Sequence, residues 1–213
     1  ARDAKQPTCG AGKCGPCVQP AGCQSGVCQP DGSCAKAADV IFVDNKNGTC
    51  SSGMSHAGTR EDPLCEIQAG ADRARMDRKP IVRIAGSRTP YAPVTVNATS
   101  TLDLILSGVP SGQDPVLVRG DGPGLTILGA ASPVVVTAQG LDLSSTSGDA
   151  VLCDQRNGTV APTLTLRASR LFEAKGAGLA ATKCKVTVDG VRVLNNNNGG
   201  VRLSASTYDV QNL

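Results

Sequence analysis

The chain has 213 residues, a formal net charge of +3 and 2% aromatic residues, with no Trp. A charge so small and so dispersed argues against nucleic-acid binding. No apolar run approaches the roughly 18 residues of a membrane-spanning helix. A core so poor in aromatics must be built from Val, Leu, Ile and Ala.

Residues 1–38 hold six of the ten cysteines: Cys9, Cys14, Cys17, Cys23, Cys28 and Cys34. An even count, clustered in a Gly/Pro-rich stretch, reads as disulfides formed in an oxidising compartment, with the six pairing among themselves. Val18 and Val27 are the only large apolar residues there, so covalent bridges must hold a segment that cannot build its own core. Cys14-x-x-Cys17 has the spacing of a zinc ligand pair, but no second such pair follows and the only His is His56; no metal site is expected. The chain opens at Ala1 without a charged or apolar leader, for which a removed signal peptide is the natural explanation.

Residues 39–80 begin with a first strand, Asp39 to Asp44. A polar loop follows that contains Cys50 and His56 and leads to Cys65; a Cys50–Cys65 bridge would close it. His56 has no Ser, Cys or Asp constellation around it and reads as a solvated loop residue. From Glu66 to Met76 the apolar residues Ile67, Ala71 and Ala74 fall at helical spacing, with Pro63 just ahead. A short amphipathic helix here would plug the open end of whatever sheet follows.

Residues 81–213 read as strands: Ile81–Ile84, Val94–Val96, Leu102–Leu106, Val116–Val118, Leu125–Leu128, Val134–Val136 and Leu141–Leu143, punctuated by Gly, Pro and Ser. From about Thr163 residue types recur every 22 positions. Leu164 maps to Val186 and Tyr208, Leu166 to Val188 and Val210, Leu171 to Val193, Phe172 to Leu194, and Leu179 to Val201. Fixed self-similarity at this period marks a solenoid. Within each repeat, apolar residues alternate over short runs separated by Gly, Asn, Ser and Asp, the pattern of about three strands and three bends. The fold class is therefore all-β, a right-handed parallel β-helix. A leucine-rich repeat shares the period, but its Asn does not recur: Glu173 stands one repeat before Asn195. The run Asn195–Asn198 makes a bend, with stacked Asn side chains able to form a hydrogen-bonded ladder. In this register Cys153 and Cys184 lie on one edge about a coil apart, within disulfide reach. Tyr208, Val210 and Leu213 begin another repeat, and the expectation is that further sequence or another chain covers that end.

Outward positions at this spacing give two charged columns, Arg167–Asp189–Gln211 and Arg170–Arg192. A surface ion pair between coils explains Arg167 and Asp189 more readily than a reactive site. A glycosidase would need two carboxylates about 5–10 Å apart. Asp103, Asp121, Asp142, Asp149 and Asp154 are the candidates, but the early coils are too irregular to pair them. The aromatic supply for stacking a sugar is Phe42, Tyr91, Phe172 and Tyr208, of which Phe172 reads as core. Asn47, Asn97 and Asn157 open three Asn-x-Thr sequons, read here as turn residues.

Gly58-Thr59, Asp62 to Ala69, Ile84 to Ser87, Pro90-Tyr91, Val94 to Val96 and Gly120 to Gly129 together resemble successive coils of secreted bacterial right-handed β-helix proteins of the pectin-lyase-like superfamily. The stretch Cys23 to Cys34 resembles cysteine-rich segments that precede such domains in myxobacteria. The resemblance runs over most of residues 23–213. It implies secretion or cell-surface exposure. Its enzymes use carboxylates, Arg or Lys on one outer strand face, often with calcium, to act on polysaccharides. The fold itself hosts enzymes, adhesins and scaffolds alike. With no assembled catalytic motif, the expectation is a structural or binding module, engaging a polysaccharide or a cell-surface protein, with no obligate cofactor and calcium as the one metal the resemblance allows. The alternative is a polysaccharide lyase or glycoside hydrolase on the same fold.

Overall fold

A computed structural model describes residues 23, 25–27, 29, 33–46, 57–97, 101–156 and 158–212. Cys9, Cys14, Cys17, Cys28, Cys50, His56, Asn47, Asn157 and Leu213 lie outside the described residues. Strand β1 (Val40–Val43) is followed by helix α1 (Ile67–Asp77), the one α-helix among the described residues, and then by strand after strand in three repeating directions. The first coil holds β2 (Ile81–Ala85) and β3 (Val94–Asn97), with Tyr91 bridging to Val118 where a middle strand would stand. The second holds β4 (Leu102–Val109), β5 (Leu117–Val118) and β6 (Leu125–Leu128). Next come β7 (Val134–Gln139), β8 (Asp142–Leu143) and β9 (Val151–Asp154). The last two coils are β10 (Thr163–Arg167), β11 (Arg170–Phe172) and β12 (Leu179–Thr182), then β13 (Lys185–Asp189), β14 (Arg192–Leu194) and β15 (Val201–Ser204). Strand β16 (Thr207–Gln211) starts one more turn.

Strands of successive coils pair in parallel to form three sheets. One has seven strands in the order β1-β2-β4-β7-β10-β13-β16, one has four, and one has five. The protein is an all-β parallel solenoid. Register partners stand 24 positions apart at Ile81 and Ile105, 32 at Ser107 and Gln139, 28 at Asp142 and Arg170, and 22 at Arg167 and Asp189. The strict period therefore begins where the sequence announces it. The longer coils spend their extra residues at corners, as in the Ser111–Asp114 excursion between β4 and β5.

Alternation places one set of side chains inside. Ile41, Val82, Leu106, Ala138, Leu166, Val188 and Val210 form one inward column of the seven-stranded sheet. Leu104, Val136, Leu164, Val186 and Tyr208 form the next. Columns from the other two sheets, such as Val94–Leu125–Val151–Leu179, meet them in one continuous core. Burying each Val or Leu contributes about 1.5–3 kcal/mol, so the stack is stabilised chiefly by its own neighbours. Phe172 departs from the sequence reading. In β11 it is Leu171 that points inward, 1% exposed, while Phe172 lies half-buried on the outer face beside Arg170. Two adjacent apolar residues in a three-residue strand leave the parity ambiguous, and the neighbouring columns decide it.

Corners are made by single left-handed residues. After β7, β10, β13 and β16 these are Gly140, Ala168, Gly190 and Asn212, with φ of 65°, 43°, 61° and 52°. At the other corners Glu173 and Asn195 form a matching pair, as do Lys183 and Ala205. After five of these corners the next residue turns inward: Leu141, Ser169, Val191, Ala174 and Cys184 are all buried. Asn196, following Asn195, donates to the Leu171 carbonyl and accepts from the Ala174 amide of the preceding coil, so this Asn side chain bonds backbone groups at the bend rather than a stacked Asn.

Helix α1 lies over the N-terminal end, burying Ile67, Ala69, Ala71 and Ala74. Gly70 permits the close approach: a Cβ there would stand 2.6 Å from Val43 Cγ2 and 3.0 Å from Val82 Cγ1. A second, smaller cluster sits outside the solenoid. Val27 and Ala35 of the cysteine-rich segment pack on the outward faces of Val40, Phe42, Ile81 and Ile105. The segment is closed by the Cys23–Cys34 disulfide. Gly26 crosses directly over the Arg83 side chain, which stacks on the Phe42 ring. Burial, and then the neighbouring Arg60, lower the Arg83 guanidinium from its ordinary value. Cys65 is disulfide-bonded, and Cys153 bonds Cys184 across adjacent coils within the core.

Candidate functional site

The outer face of the seven-stranded sheet is a ruled surface of register-matched side chains. One column runs Val40, Ile81, Ile105, Thr137, Thr165, Thr187, Asp209. The next runs Phe42, Arg83, Ser107, Gln139, Arg167, Asp189, Gln211. A third runs Asp103, Val135, Thr163, Lys185, Thr207. In the first two columns the apolar members are the ones beneath the cysteine-rich segment; beyond β4 hydroxyl, amide and charged groups take over, with Val135 of the third column the exception. Parallel strands repeat about every 4.8 Å, so the face offers hydrogen-bonding groups at that interval along the solenoid axis. The threonine column could be read from sequence only once the irregular 28-residue step between Thr137 and Thr165 was known.

The second column is internally bonded. Gln139 Nε2 donates to Ser107 Oγ at 3.1 Å. Arg167 Nη2 lies 3.3 Å from Asp189 Oδ2, and Asn212 Nδ2 donates to Asp189 Oδ1 at 3.0 Å. These bonds, Asn212 first and Arg167 second, hold the Asp189 carboxyl below the usual carboxylate range. The geometry is that of a surface ion pair between coils, with solvent-screened strength.

Around the Gly140–Ala168–Gly190 corner, on the four-stranded sheet, the register column is Leu117, Asp142, Arg170, Arg192. The Arg170 guanidinium donates to both carboxylate oxygens of Asp142, Nε to Oδ1 at 2.7 Å and Nη2 to Oδ2. That bond raises the Arg170 guanidinium above its ordinary value. Arg192, one coil on, is exposed and has no ion-pair partner among the described residues. A groove of about 400 Å³ follows this corner, with Pro110 and Pro115 at one end and Asp142, Ser169, Arg170 and Arg192 along it.

Three of the five carboxylates considered from sequence are held by neighbouring basic groups. Asp142 is bound by Arg170. Asp149 accepts from the Ala177 amide at 2.7 Å and pairs with Arg202 at 3.2 Å. Asp154 pairs with Arg156 at 3.4 Å. Asp103 stands on the outer face of β4 and Asp121 in the loop before β6, both exposed. Tyr91 is no sugar platform: it is 2% exposed in the core and its hydroxyl donates to the Ala85 carbonyl at 2.7 Å. Among the described residues no three His, Cys, Asp or Glu side chains gather as a metal-binding group, and no helix is long and apolar enough to cross a membrane. Comparison with protein-family models, with curated proteins and with solved structures returns no match for this chain.

Proposed function

We propose that this chain is an extracellular or cell-surface β-helix serving as a binding or structural module, with the outer face of its seven-stranded sheet as the working surface. The observation that carries this reading is the face itself. Thr137, Thr165 and Thr187 stand in line beside Gln139, Arg167, Asp189 and Gln211. Such a face suits a partner that presents hydroxyl or amide groups at a regular interval, a polysaccharide chain or a cell-surface protein. Disulfides joining Cys23 to Cys34 and Cys153 to Cys184 favour an oxidising compartment. The resemblance to secreted pectin-lyase-like β-helices points the same way. A panel of polysaccharides, read for both binding and chain cleavage, tests the proposal. Binding without cleavage, weakened at least tenfold in Thr165→Glu/Thr187→Glu, is the expected result; no binding across the panel or to cell envelopes would overturn it.

A second reading, a polysaccharide lyase or glycoside hydrolase, draws on the corner groove with its exposed Arg192. Cleavage in the same panel, abolished in Arg192→Ala and kept in the threonine variant, would establish that reading instead.

A further inference from the structure

We propose that Asn198 and Gly199 form a self-modifying bend, in which the Gly199 amide nitrogen attacks the Asn198 side chain and converts it to aspartate and isoaspartate without an enzyme. Three Asn-Gly pairs occur in the chain, opening at Asn47, Asn157 and Asn198. The chemistry needs an unshielded attacking nitrogen and a backbone free to turn, and a following glycine provides both. By sequence the three pairs rank alike; the fold separates them.

Gly199 sits exposed in the bend between β14 and β15, at φ 91°. Its amide has no hydrogen-bond partner among the described residues, and a Cβ built on it would meet nothing within 4 Å. Asn198 is exposed as well, and its carboxamide bonds none of the described residues. Gly158 is the opposite case. Its amide donates to the Gln155 carbonyl at 2.8 Å, and its carbonyl accepts from Gln155 Nε2 at 2.9 Å. A Cβ there would lie 2.5 Å from the Gly129 carbonyl carbon, so this backbone is packed against the preceding coil. Attack through that nitrogen first requires the bond to Gln155 to open. Within the run Asn195–Asn198, Asn196 is held by the Leu171 carbonyl and the Ala174 amide and has no glycine after it.

The Gly199 nitrogen gives its proton to solvent and forms a bond to Asn198 Cγ. The bond from Cγ to Nδ2 breaks, and the leaving nitrogen takes a proton from solvent and departs as ammonia. The product is a five-membered succinimide, which water opens. Breaking the new bond at Cγ leaves aspartate. Breaking the bond at the main-chain carbonyl leaves isoaspartate, whose backbone runs through Cγ and is one methylene longer. In sum one water enters, one ammonia leaves, nothing is oxidised, and the bend gains a negative charge.

The position gives the reaction a structural effect. The Asn198 amide donates to the Gly176 carbonyl at 3.0 Å, while the Gly178 and Leu179 amides donate to the Gly199 and Gly200 carbonyls at 3.1 and 3.0 Å. These bonds lie on either side of the modified link and lead directly into the pairing of β15 with β12. A longer backbone at position 198 cannot satisfy both sides of that register. Isoaspartate formation therefore loosens β15, irreversibly and by age rather than by a ligand.

The test ages the full, folded chain in mildly alkaline buffer. Peptide mapping, with fragmentation that separates aspartate from isoaspartate, follows each Asn-Gly pair. Asn198 should convert about fivefold faster than Asn157, the factor that opening one backbone hydrogen bond is worth. The difference should vanish in urea, where Gly158 is no longer held. Hydrogen exchange at the Gly178 and Leu179 amides should quicken in the aged chain. Freshly made Asn198→Asp, which has the charge without the extra methylene, should keep slow exchange, and Asn198→Gln should neither convert nor loosen on ageing. Equal conversion of Asn157 and Asn198 in the folded chain would overturn the proposal. So would aged protein rich in isoaspartate whose Gly178 and Leu179 amides exchange no faster than before.

Discussion

Arg167 and Asp189 stand 22 positions apart in sequence and side by side on adjacent strands, with Nη2 3.3 Å from Oδ2. Asn212, at the following left-handed corner, donates to the other carboxylate oxygen. Asp189 is thus depressed in the folded state relative to the unfolded chain. A depressed carboxyl adds stability that is present above its unfolded value and lost as pH falls through its folded value. Asn212→Ala and Arg167→Ala should each move the Asp189 titration upward, toward the ordinary carboxylate range. Carbon-detected NMR titration of the Asp side chains reads this; an unmoved Asp189 would mean that neither bond shapes the site.

Tyr91 gives the opposite limit of pH. Burial pushes its phenol up to about 12, well above the free side chain. The folded state therefore favours the neutral hydroxyl, and this contribution, complete below the unfolded value, is lost as pH rises toward the folded one. Phenolate absorbance should show Tyr91 resisting ionisation until alkaline unfolding begins. Tyr91→Phe should remove that late step and leave Tyr208, whose half-buried phenol is also raised, as the remaining signal.

The bond between Cys153 and Cys184 closes a span of 31 positions around one full coil. Replacing both residues by Ala should lower the unfolding free energy by about 2–5 kcal/mol. Urea unfolding followed by circular dichroism measures it. A loss below about 1 kcal/mol would show that coil-to-coil packing alone carries this region.

Ala168 occupies a left-handed corner, φ 43°, between Gly140 and Gly190 in the same column. A side chain costs about 1–2 kcal/mol in that conformation. Ala168→Gly should therefore stabilise the fold by about 1 kcal/mol after the unfolded chain's added freedom is deducted. For a domain of this size that is a rise of about 2–4 °C in Tm. A fall in Tm would show that the Ala168 methyl has packing the corner needs.

The regular coils were legible because their period is strict: Leu164, Val186 and Tyr208 share one inward column, and the matching of Leu171 with Val193 and Leu179 with Val201 follows. The polar face was half legible. Its Arg167–Asp189 rung lies inside the 22-residue period, whereas its continuation to Gln139 and Thr137 crosses a coil of different length. Two features were hidden for physical reasons. Corners at Ala168, Lys183 and Ala205 use residues that carry no turn signal, since the surrounding ladders impose the left-handed angle. The cysteine-rich segment could be recognised as lacking a core, but its packing partners, Ile81 and Ile105, are outward residues on strands that follow long after it, and only the fold brings them beneath Val27.

The hydrogen bonds that join coil to coil run along the solenoid's long axis, whereas the chain itself circles that axis. Tension applied to the C-terminal end would therefore load these bonds a few at a time. The molecule should peel in discrete steps, each 22-residue coil paying out about 75 Å of extended chain. Peeling should stall at the staple formed by Cys153 and Cys184, because the chain between them cannot lengthen while the bond is intact. Under load the described residues would give up the β16 strand and one full coil, β13 to β15, and then meet a locked one.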